Sequence, residues 1–251
     1  MTDHVRVEKA GGVLSITLNR PDRRNAITVA MYGVLADAIA EAWEDGDTRL
    51  ITIRGEGQDF AAGNDLADFL NVDRGDDLPV WRLLRALAEN EIPIIAAVHG
   101  NCVGIGTTML LHCDFVIAAE DTRFSMPFVD LALVPEAASS MLFPRLAGRR
   151  RAARYLLLAE PFGALEAIEI GLASHVVPAT GLDSKLHEVT ERLLAKPREA
   201  LRLTQGLLRR GAAEEVIDRM KLESTTFAER LDSEEAKQAI SAFFEKRSRP
   251  S

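Results

Sequence analysis

The sequence predicts an α/β fold over residues 1–194 and a helical C-terminal extension over residues 195–251. Three observations lead to this prediction. Short β-branched or apolar runs, bounded by Gly, Pro, Asn or Asp, crowd the first half of the chain. Helical patterns lie between those runs, and the strand signal nearly disappears after Leu133. No linker rich in Pro, Gly or Ser divides the halves, so we expect one domain with an extension.

The first half alternates short strands with two amphipathic helices. Strands are expected over residues 5–7, 13–18, 50–54, 94–98 and 115–118. A helix is expected over 29–44, because Met31, Leu35 and Ile39 fall on one face at helical spacing, and Thr28 is a suitable N-cap. A second helical pattern covers about 79–90. This order is closer to two strands per helix than to a strict βαβ alternation.

The second half is predominantly helical. Residues 174–177 form its one strand candidate. Helices are expected over 149–159, 164–170, 182–194, 197–209, 212–230 and 234–246. Phe227, Phe243 and Phe244 lie among the apolar positions of the last helices and must be covered. These helices therefore pack either on their own α/β core or on a neighbouring subunit.

The composition is that of a globular protein that needs neither disulfides nor metal. The chain has 251 residues, of which 47% are hydrophobic and 27% are charged, and its net charge is −8. An acidic surface does not attract a phosphate backbone or an anionic membrane, so we expect no nucleic-acid partner. Cys102 and Cys113 have no CxxC spacing and are interpreted as buried thiols. His99 and His112 have no ligand partners at metal-binding spacing, so we expect no metal.

Residues 92–113 form a long run without charged side chains. Its length raises the question of a membrane span, but Pro93, three glycines, Asn101 and two histidines interrupt the run. We therefore expect a strand, a glycine-rich turn and a buried helix start, with no membrane insertion. The polar N-terminus lacks the apolar segment of a secretory signal, so a cytoplasmic location is expected.

Two glycine-containing turns are candidate binding sites. One covers residues 59–66 and the other covers 100–106, and each follows a strand and precedes a helix start. Free backbone N–H groups at such a turn favour an anion or a developing oxyanion. The alternative for each is an ordinary tight turn. Neither turn has the three-glycine dinucleotide fingerprint, and the chain contains no GxxxxGK sequence.

Four motifs together resemble the crotonase, or enoyl-CoA hydratase/isomerase, superfamily. They are FAAGNDL (60–66), VHGNCVGIG (98–106), CDFVIAAEDTRF (113–124) and SAFFEKR (241–247), and LNRPDRRNAI (18–27) also fits the superfamily. The resemblance covers nearly the whole chain. It implies a spiral of repeated ββα units and a homotrimer or a dimer of trimers. It also implies an acyl-CoA thioester as substrate, with no separate cofactor because CoA is part of that substrate.

The resemblance also assigns site residues by position. The backbone amides of Asn64 and Ile105 would form an oxyanion hole around the thioester oxygen. Substrate and CoA contacts are expected from Arg24, Ala26, Ala62, Gly63, Asp65, Leu66, Gly104, Phe128, Phe243 and Lys246. Alternatives remain open for three of these. Asp65 is equally suited to capping a helix, Arg24 to a solvated pair with Arg23, and Phe243 to the core of a C-terminal helix.

The positions of the acidic residues indicate which reaction to expect. Hydratases of this superfamily carry two glutamates, and the matching positions here are Thr108 and Phe128, neither of which can activate water. Glu136 stands in a Pro-Glu motif similar to that of the peroxisomal-type Δ3,Δ2-enoyl-CoA isomerases. In that subgroup this glutamate moves a proton from C2 to C4. Alternatives are a hydratase that uses Glu136, and an acyl-CoA-binding protein without activity. A further alternative makes Glu136 a solvated glutamate in the first turn of a helix.

Overall fold

The computed structural model describes residues 3–69, 78–209 and 213–248, apart from the side chains of residues 69 and 246–248. The strands are β1 (Val5–Ala10), β2 (Val13–Leu18), β3 (Leu50–Gly55), β4 (Ile94–Val98), β5 (Asn101–Val103), β6 (Phe115–Ala119), β7 (Arg123–Ser125), β8 (Phe162–Gly163) and β9 (His175–Val177). The helices are α1 (Val29–Glu44), α2 (Leu66–Phe69), α3 (Pro79–Glu89), α4 (Ile105–Thr108), α5 (Ser139–Ala147), α6 (Arg149–Leu157), α7 (Ala164–Glu169), α8 (Leu182–Leu194), α9 (Arg198–Arg209), α10 (Ala213–Leu231) and α11 (Glu234–Ser248).

A six-stranded sheet in the order β1-β2-β3-β4-β6-β9 forms the centre of the fold. β1 is antiparallel to β2, and the remaining neighbours are parallel. Both faces of β4 are buried, which is why its sequence is a continuous apolar run. Ile94 and Ala96 face the main core, whereas Ile95 and Ala97 join a second cluster that includes Val189 of α8. The six strands that the sequence predicts are confirmed and make up this sheet, and each predicted helix is also found.

α1 begins where the sequence predicts. The Thr28 hydroxyl accepts a hydrogen bond from the Met31 N–H at 3.2 Å, and this contact caps the helix. Met31, Leu35 and Ile39 are buried in the main core, and α1 packs against α3. This face of the helix also includes Tyr32, which is fully buried.

Two parts of the fold differ from the prediction. The segment 100–106 was expected to be a single turn, but it contains β5, which pairs with β7 in a small sheet of order β5-β7-β8. Strands of two or three residues are too short to show a hydrophobic period. No helix was predicted between Leu133 and Arg149, whereas α5 covers Ser139–Ala147 with Pro144 inside it. A proline normally ends a helical pattern, and this one concealed the helix.

The C-terminal helices pack on their own α/β core. Val216 and Met220 of α10 and Ile240 of α11 belong to the same buried cluster as the central sheet. α10 contacts α3 and α5, and α11 contacts the short turn at Val129–Leu131. Of the two arrangements expected for this region, covering the chain's own core is therefore observed. A role of residues 195–251 in trimer formation stays a prediction.

The structure also places the two cysteines and the two histidines of the sequence analysis. Cys102 is buried, but Cys113 is only half-buried, so the expectation of two buried thiols was wrong for Cys113 because its side chain lies at the mouth of a surface cavity. His112 is packed, with its Nε2 atom 2.9 Å from the Ala137 carbonyl oxygen, and the His99 Nε2 atom lies 2.9 Å from the Gly57 carbonyl oxygen. None of the helices in the described ranges combines the length and the apolar character of a membrane span.

Candidate active site

The two glycine turns lie against each other at the end of the central sheet. The Ala61 N–H donates to the Asn101 carbonyl at 3.1 Å, and the Val103 N–H donates to the Ala61 carbonyl at 2.9 Å. Gly63 has φ +88°, and a Cβ there would lie 3.2 Å from the Val103 carbonyl oxygen. Gly104 also has a positive φ of +54°. Both positions therefore need glycine, because an L side chain would strain the backbone where the turns meet.

Each turn presents a backbone N–H group that has no acceptor among the residues that the structure describes. Gly63 and Asp65 exchange hydrogen bonds with Ile27, and the N–H of Asn64 between them has no acceptor within the described ranges. Ile105 is the first residue of α4, and its N–H likewise finds no acceptor among those residues. Two such donors on adjoining turns are suited to binding a single oxygen atom.

A groove of about 830 Å³ runs past these two amides. It brings together most of the residues that the sequence assigned to substrate binding: Ala26, Ala62, Gly63, Asn64, Asp65, Leu66, Gly104, Ile105, Phe128 and Phe243. Arg23 also lines the groove. Arg24 does not, because its side chain lines a neighbouring polar cavity, where its Nε atom lies 3.8 Å from Asp59 Oδ2. The Lys246 side chain lies outside the described residues.

Asp65 both begins a helix and forms an ion pair. Its Oδ1 atom accepts the N–H of Asp68 at 3.3 Å, as expected of a residue that caps α2. Its Oδ2 atom lies 2.6 Å from Nη1 of Arg20. Partial burial acts to raise the pKa of Asp65, but the hydrogen bond and charge of Arg20 outweigh it and hold the pKa below its usual value. The carboxylate is thus ionised and fixes the segment that carries Asn64.

Glu136 is buried, with 8% of its surface exposed. Thr108 donates a hydrogen bond from Oγ1 to Glu136 Oε1 at 3.0 Å. Burial raises the pKa of Glu136 to about 7, opposed by the Thr108 hydrogen bond and reinforced by the charge of Glu223. The alternative of a solvated glutamate in a first helical turn is therefore wrong, because α5 begins only at Ser139 and the carboxyl group faces the interior.

The Glu136 carboxyl group lies in a second, smaller cavity of about 100 Å³. Apolar side chains, including Trp81 and Phe227, form most of its wall, and Tyr32 and Glu223 also line it. Phe227 lines the groove as well. The Tyr32 hydroxyl donates a hydrogen bond to Oδ1 of Asn64, so this tyrosine connects the cavity that holds Glu136 to the turn that carries the Asn64 amide.

Sequence reasoning missed two residues of this cavity. Tyr32 was not singled out because it lies on the apolar face of α1, although a phenol on such a face indicates a polar partner inside the protein. Glu223 was missed on α10, where it lies between Met220 and Phe227 at helical spacing. An acidic residue within an apolar stripe was the signal that could have identified it.

Comparisons with known proteins agree with this geometry. A model of the family described as "Enoyl-CoA hydratase/isomerase" matches residues 8–250. Enoyl-CoA delta isomerase 2 of Rattus norvegicus is 32% identical over 246 residues, which are 95% of this chain and 63% of that protein. This chain thus spans about three fifths of that relative. Short-chain-enoyl-CoA hydratase of Clostridium acetobutylicum is 30% identical over 250 residues, covering 98% of this chain and 96% of that protein.

The fold is also similar to that of solved structures of this family. A crystal structure of an enoyl-CoA hydratase/isomerase from Pseudoalteromonas atlantica T6c is 38% identical and superposes with a TM-score of 0.94 over 99% of this chain and 100% of that chain. The crotonase-like α/β fold with C-terminal helices is thereby confirmed. Sequence, fold and paired glycine turns agree, and the chain belongs to the enoyl-CoA hydratase/isomerase family.

Proposed function

We propose that this family member is a Δ3,Δ2-enoyl-CoA isomerase in which Glu136 moves a proton from C2 to C4 of the acyl group. The observation that carries the proposal is the environment of the Glu136 carboxyl group, which is buried in an apolar cavity and hydrogen-bonded to Thr108. The amides of Asn64 and Ile105 hold the thioester oxygen in the adjoining groove.

The reaction needs one group that both accepts and returns a proton. Ionised Glu136 removes a proton from C2, and the electron pair moves toward the thioester oxygen to give a dienolate. The protonated carboxyl group then delivers the proton to C4, and the double bond lies between C2 and C3. A pKa of about 7 suits both steps because neither protonation state is strongly favoured near neutral pH. The family's acyl-CoA substrate fits this scheme, and proton transfer requires no separate cofactor.

The second candidate is an enoyl-CoA hydratase that directs water with Glu136. The hydratase relative, at an identity similar to that of the isomerase, favours it, and so does the presence of a second carboxylate, Glu223, in the cavity. Against it, the N–H groups of Ala138 and Ser140 donate to the two oxygens of Glu223 at 2.6 and 2.9 Å. A carboxylate held in this way is poorly placed to activate water.

Separate incubations with a 3-enoyl-CoA and a 2-enoyl-CoA distinguish these candidates. The proposal predicts formation of the conjugated 2-enoyl thioester from the first substrate, followed by its absorbance. Formation of 3-hydroxyacyl-CoA from the second substrate at a comparable rate supports a hydratase and contradicts the proposal. Tight binding of both thioesters with no conversion supports the remaining alternative, an acyl-CoA-binding protein without activity.

The cytoplasmic location and the homotrimer or dimer of trimers stay predictions. The subunit count is measured by light scattering on the purified chain. A trimer or hexamer agrees with the prediction, and a monomer contradicts it.

The pH dependence of the isomerase reaction reports on the base. We expect kcat/KM for a 3-enoyl-CoA to rise with pH around a midpoint of about 7, because only ionised Glu136 accepts the C2 proton. Thr108→Val removes the hydrogen bond that lowers the pKa of Glu136, so the midpoint moves to higher pH. A pH profile of both proteins measures this shift. A midpoint that stays in place, or moves to lower pH, contradicts the role given to this hydrogen bond.

A further inference from the structure

The turn that carries Glu136 has an unfavourable backbone conformation. Ala137 and Ala138 follow Glu136 directly, and both adopt left-handed φ angles, of 58° and 57°. Alanine pays a steric penalty there that glycine avoids, so such a turn persists only where its surroundings hold it in place. The direction of the Glu136 side chain therefore depends on contacts made by the next few residues.

Glu223 makes the contact that spans this turn. Its Oε2 atom accepts the Ala138 N–H at 2.6 Å, and its Oε1 atom accepts the Ser140 N–H at 2.9 Å. Glu223 belongs to α10, 83 residues from Ser140, and only 6% of its surface is exposed. Hydrogen bonds from N–H groups to a buried carboxylate are about twice as strong as neutral ones. One side chain therefore holds two points of the strained segment.

We propose that Glu223 is a positioning residue for Glu136, because its two carboxylate oxygens fix the turn that directs the Glu136 carboxyl group into the cavity. This inference rests on the proposed role of Glu136 as the base. That chemistry gives Glu223 no proton to carry, and each of its two oxygens accepts a backbone N–H group. Glu223 affects the reaction by fixing the turn that carries Glu136 and by placing a negative charge near the Glu136 carboxyl group.

The charge of Glu223 is a second way in which it acts on Glu136. Both carboxyl groups line the same cavity, and the negative charge of Glu223 adds to burial in raising the pKa of Glu136. Burial raises the pKa of Glu223 above its ordinary value, opposed by the hydrogen bonds from Ser140 and Ala138 and by the charge of Arg219.

The other titratable groups facing Glu136 are uncharged near neutral pH. Tyr32 is fully buried, and burial holds its pKa well above the ordinary value. His112 contacts the Ala137 carbonyl, and burial lowers the pKa of this histidine to about 4. Removing the charge of Glu223 should therefore have an effect on Glu136 that neither of these groups masks.

Glu223→Gln tests both effects in one protein. The variant keeps the size of the side chain, but its amide NH₂ faces one of the two N–H donors and its charge is gone. We expect kcat for the 3-enoyl-CoA to fall about 10- to 100-fold, since small misplacements of a catalytic group cost this much. KM should change little because Glu223 does not line the groove. The midpoint of the pH profile should move below that of the unchanged protein, opposite to Thr108→Val.

Two further variants control this experiment. Glu229→Gln makes the same chemical change on the same helix at an exposed position, and it should leave kcat and the midpoint unchanged. Glu223→Asp keeps the charge but shortens the side chain, so kcat should fall while the midpoint remains close to that of the unchanged protein. A thermal melt shows whether each variant is folded. If Glu223→Gln does not fold, Glu223→Asp carries the test of positioning through kcat, which should fall, and KM, which should not change because Glu223 does not line the groove.

The outcomes separate this inference from the proposed function. Folded Glu223→Gln with unchanged kcat overturns the positioning role, provided that Glu136→Gln is inactive. In folded Glu223→Gln, which also loses the charge, a reduced kcat with an unmoved midpoint overturns it as well, because a purely structural contact explains that result. If instead Glu136→Gln remains active, the proposed function itself fails.

Discussion

Glu136→Gln is expected to reduce kcat for a 3-enoyl-CoA about 100- to 10,000-fold, the range in which general acid–base groups contribute. The amide can neither accept a proton from C2 nor return one to C4. Glutamine has the same size, and its carbonyl oxygen can still accept the hydrogen bond from Thr108. The loss should therefore be one of chemistry and not of folding. Steady-state kinetics on the conjugated product measure it.

Binding of the CoA thioester provides the control for this variant. The groove beside Asn64 and Ile105 does not include Glu136, so the dissociation constant of a CoA thioester should change little. Glu229→Gln, the exposed change on α10, should retain full activity. A Glu136→Gln protein that is folded and turns over within a few-fold of the unchanged protein contradicts the assignment of the base.

Gly63→Ala should reduce kcat about 100- to 1,000-fold, comparable to the loss of one oxyanion donor. Gly63 has φ +88°, and an added Cβ would lie 3.2 Å from the carbonyl oxygen of Val103. Relief of this contact moves the peptide that carries the Asn64 N–H away from its place opposite Ile105. The effect should appear in kcat, since the developing charge on the thioester oxygen is what this amide stabilises.

Gly33→Ala is the matched control for this change. Gly33 lies inside α1, where an added Cβ meets no atom within 4 Å and φ is not positive. Activity should be unchanged, and the free energy of unfolding should rise by up to about 1 kcal/mol because alanine favours helix. If Gly63→Ala is as active as Gly33→Ala, the Asn64 amide is not an oxyanion donor.

The sequence was sufficient for those features that depend on local patterns. The period of α1 and its Thr28 cap are visible in consecutive residues, and so are the alternation of β2 and the continuous apolar run of β4. Gly63 and Gly104 could be located because they occur in recognisable motifs. Glu136 stood out because the two positions at which other family members carry acids hold Thr108 and Phe128 here.

The remaining features depend on contacts between distant residues. Glu223 is 87 positions beyond Glu136 in the printed sequence, and only the packing of α10 brings its carboxylate to the 136–140 turn. Tyr32 reaches Asn64 only once α1 has folded over the 59–66 turn. Thr108 was interpreted as the absence of an acid, whereas in the structure it donates a hydrogen bond to the Glu136 carboxyl group. No local pattern reports these pairings.

In the proposed reaction one carboxyl group, that of Glu136, carries a single proton between two carbons of the substrate. A single turnover of 3-enoyl-CoA with two deuterium atoms at C2 tests it most directly, with the product analysed by mass spectrometry and NMR. In a buried cavity the transferred deuterium should remain partly protected from solvent, and we expect 2-enoyl product with deuterium at both C2 and C4. Product that carries only solvent hydrogen at C4, in the unchanged protein and in folded Glu136→Gln alike, would contradict it.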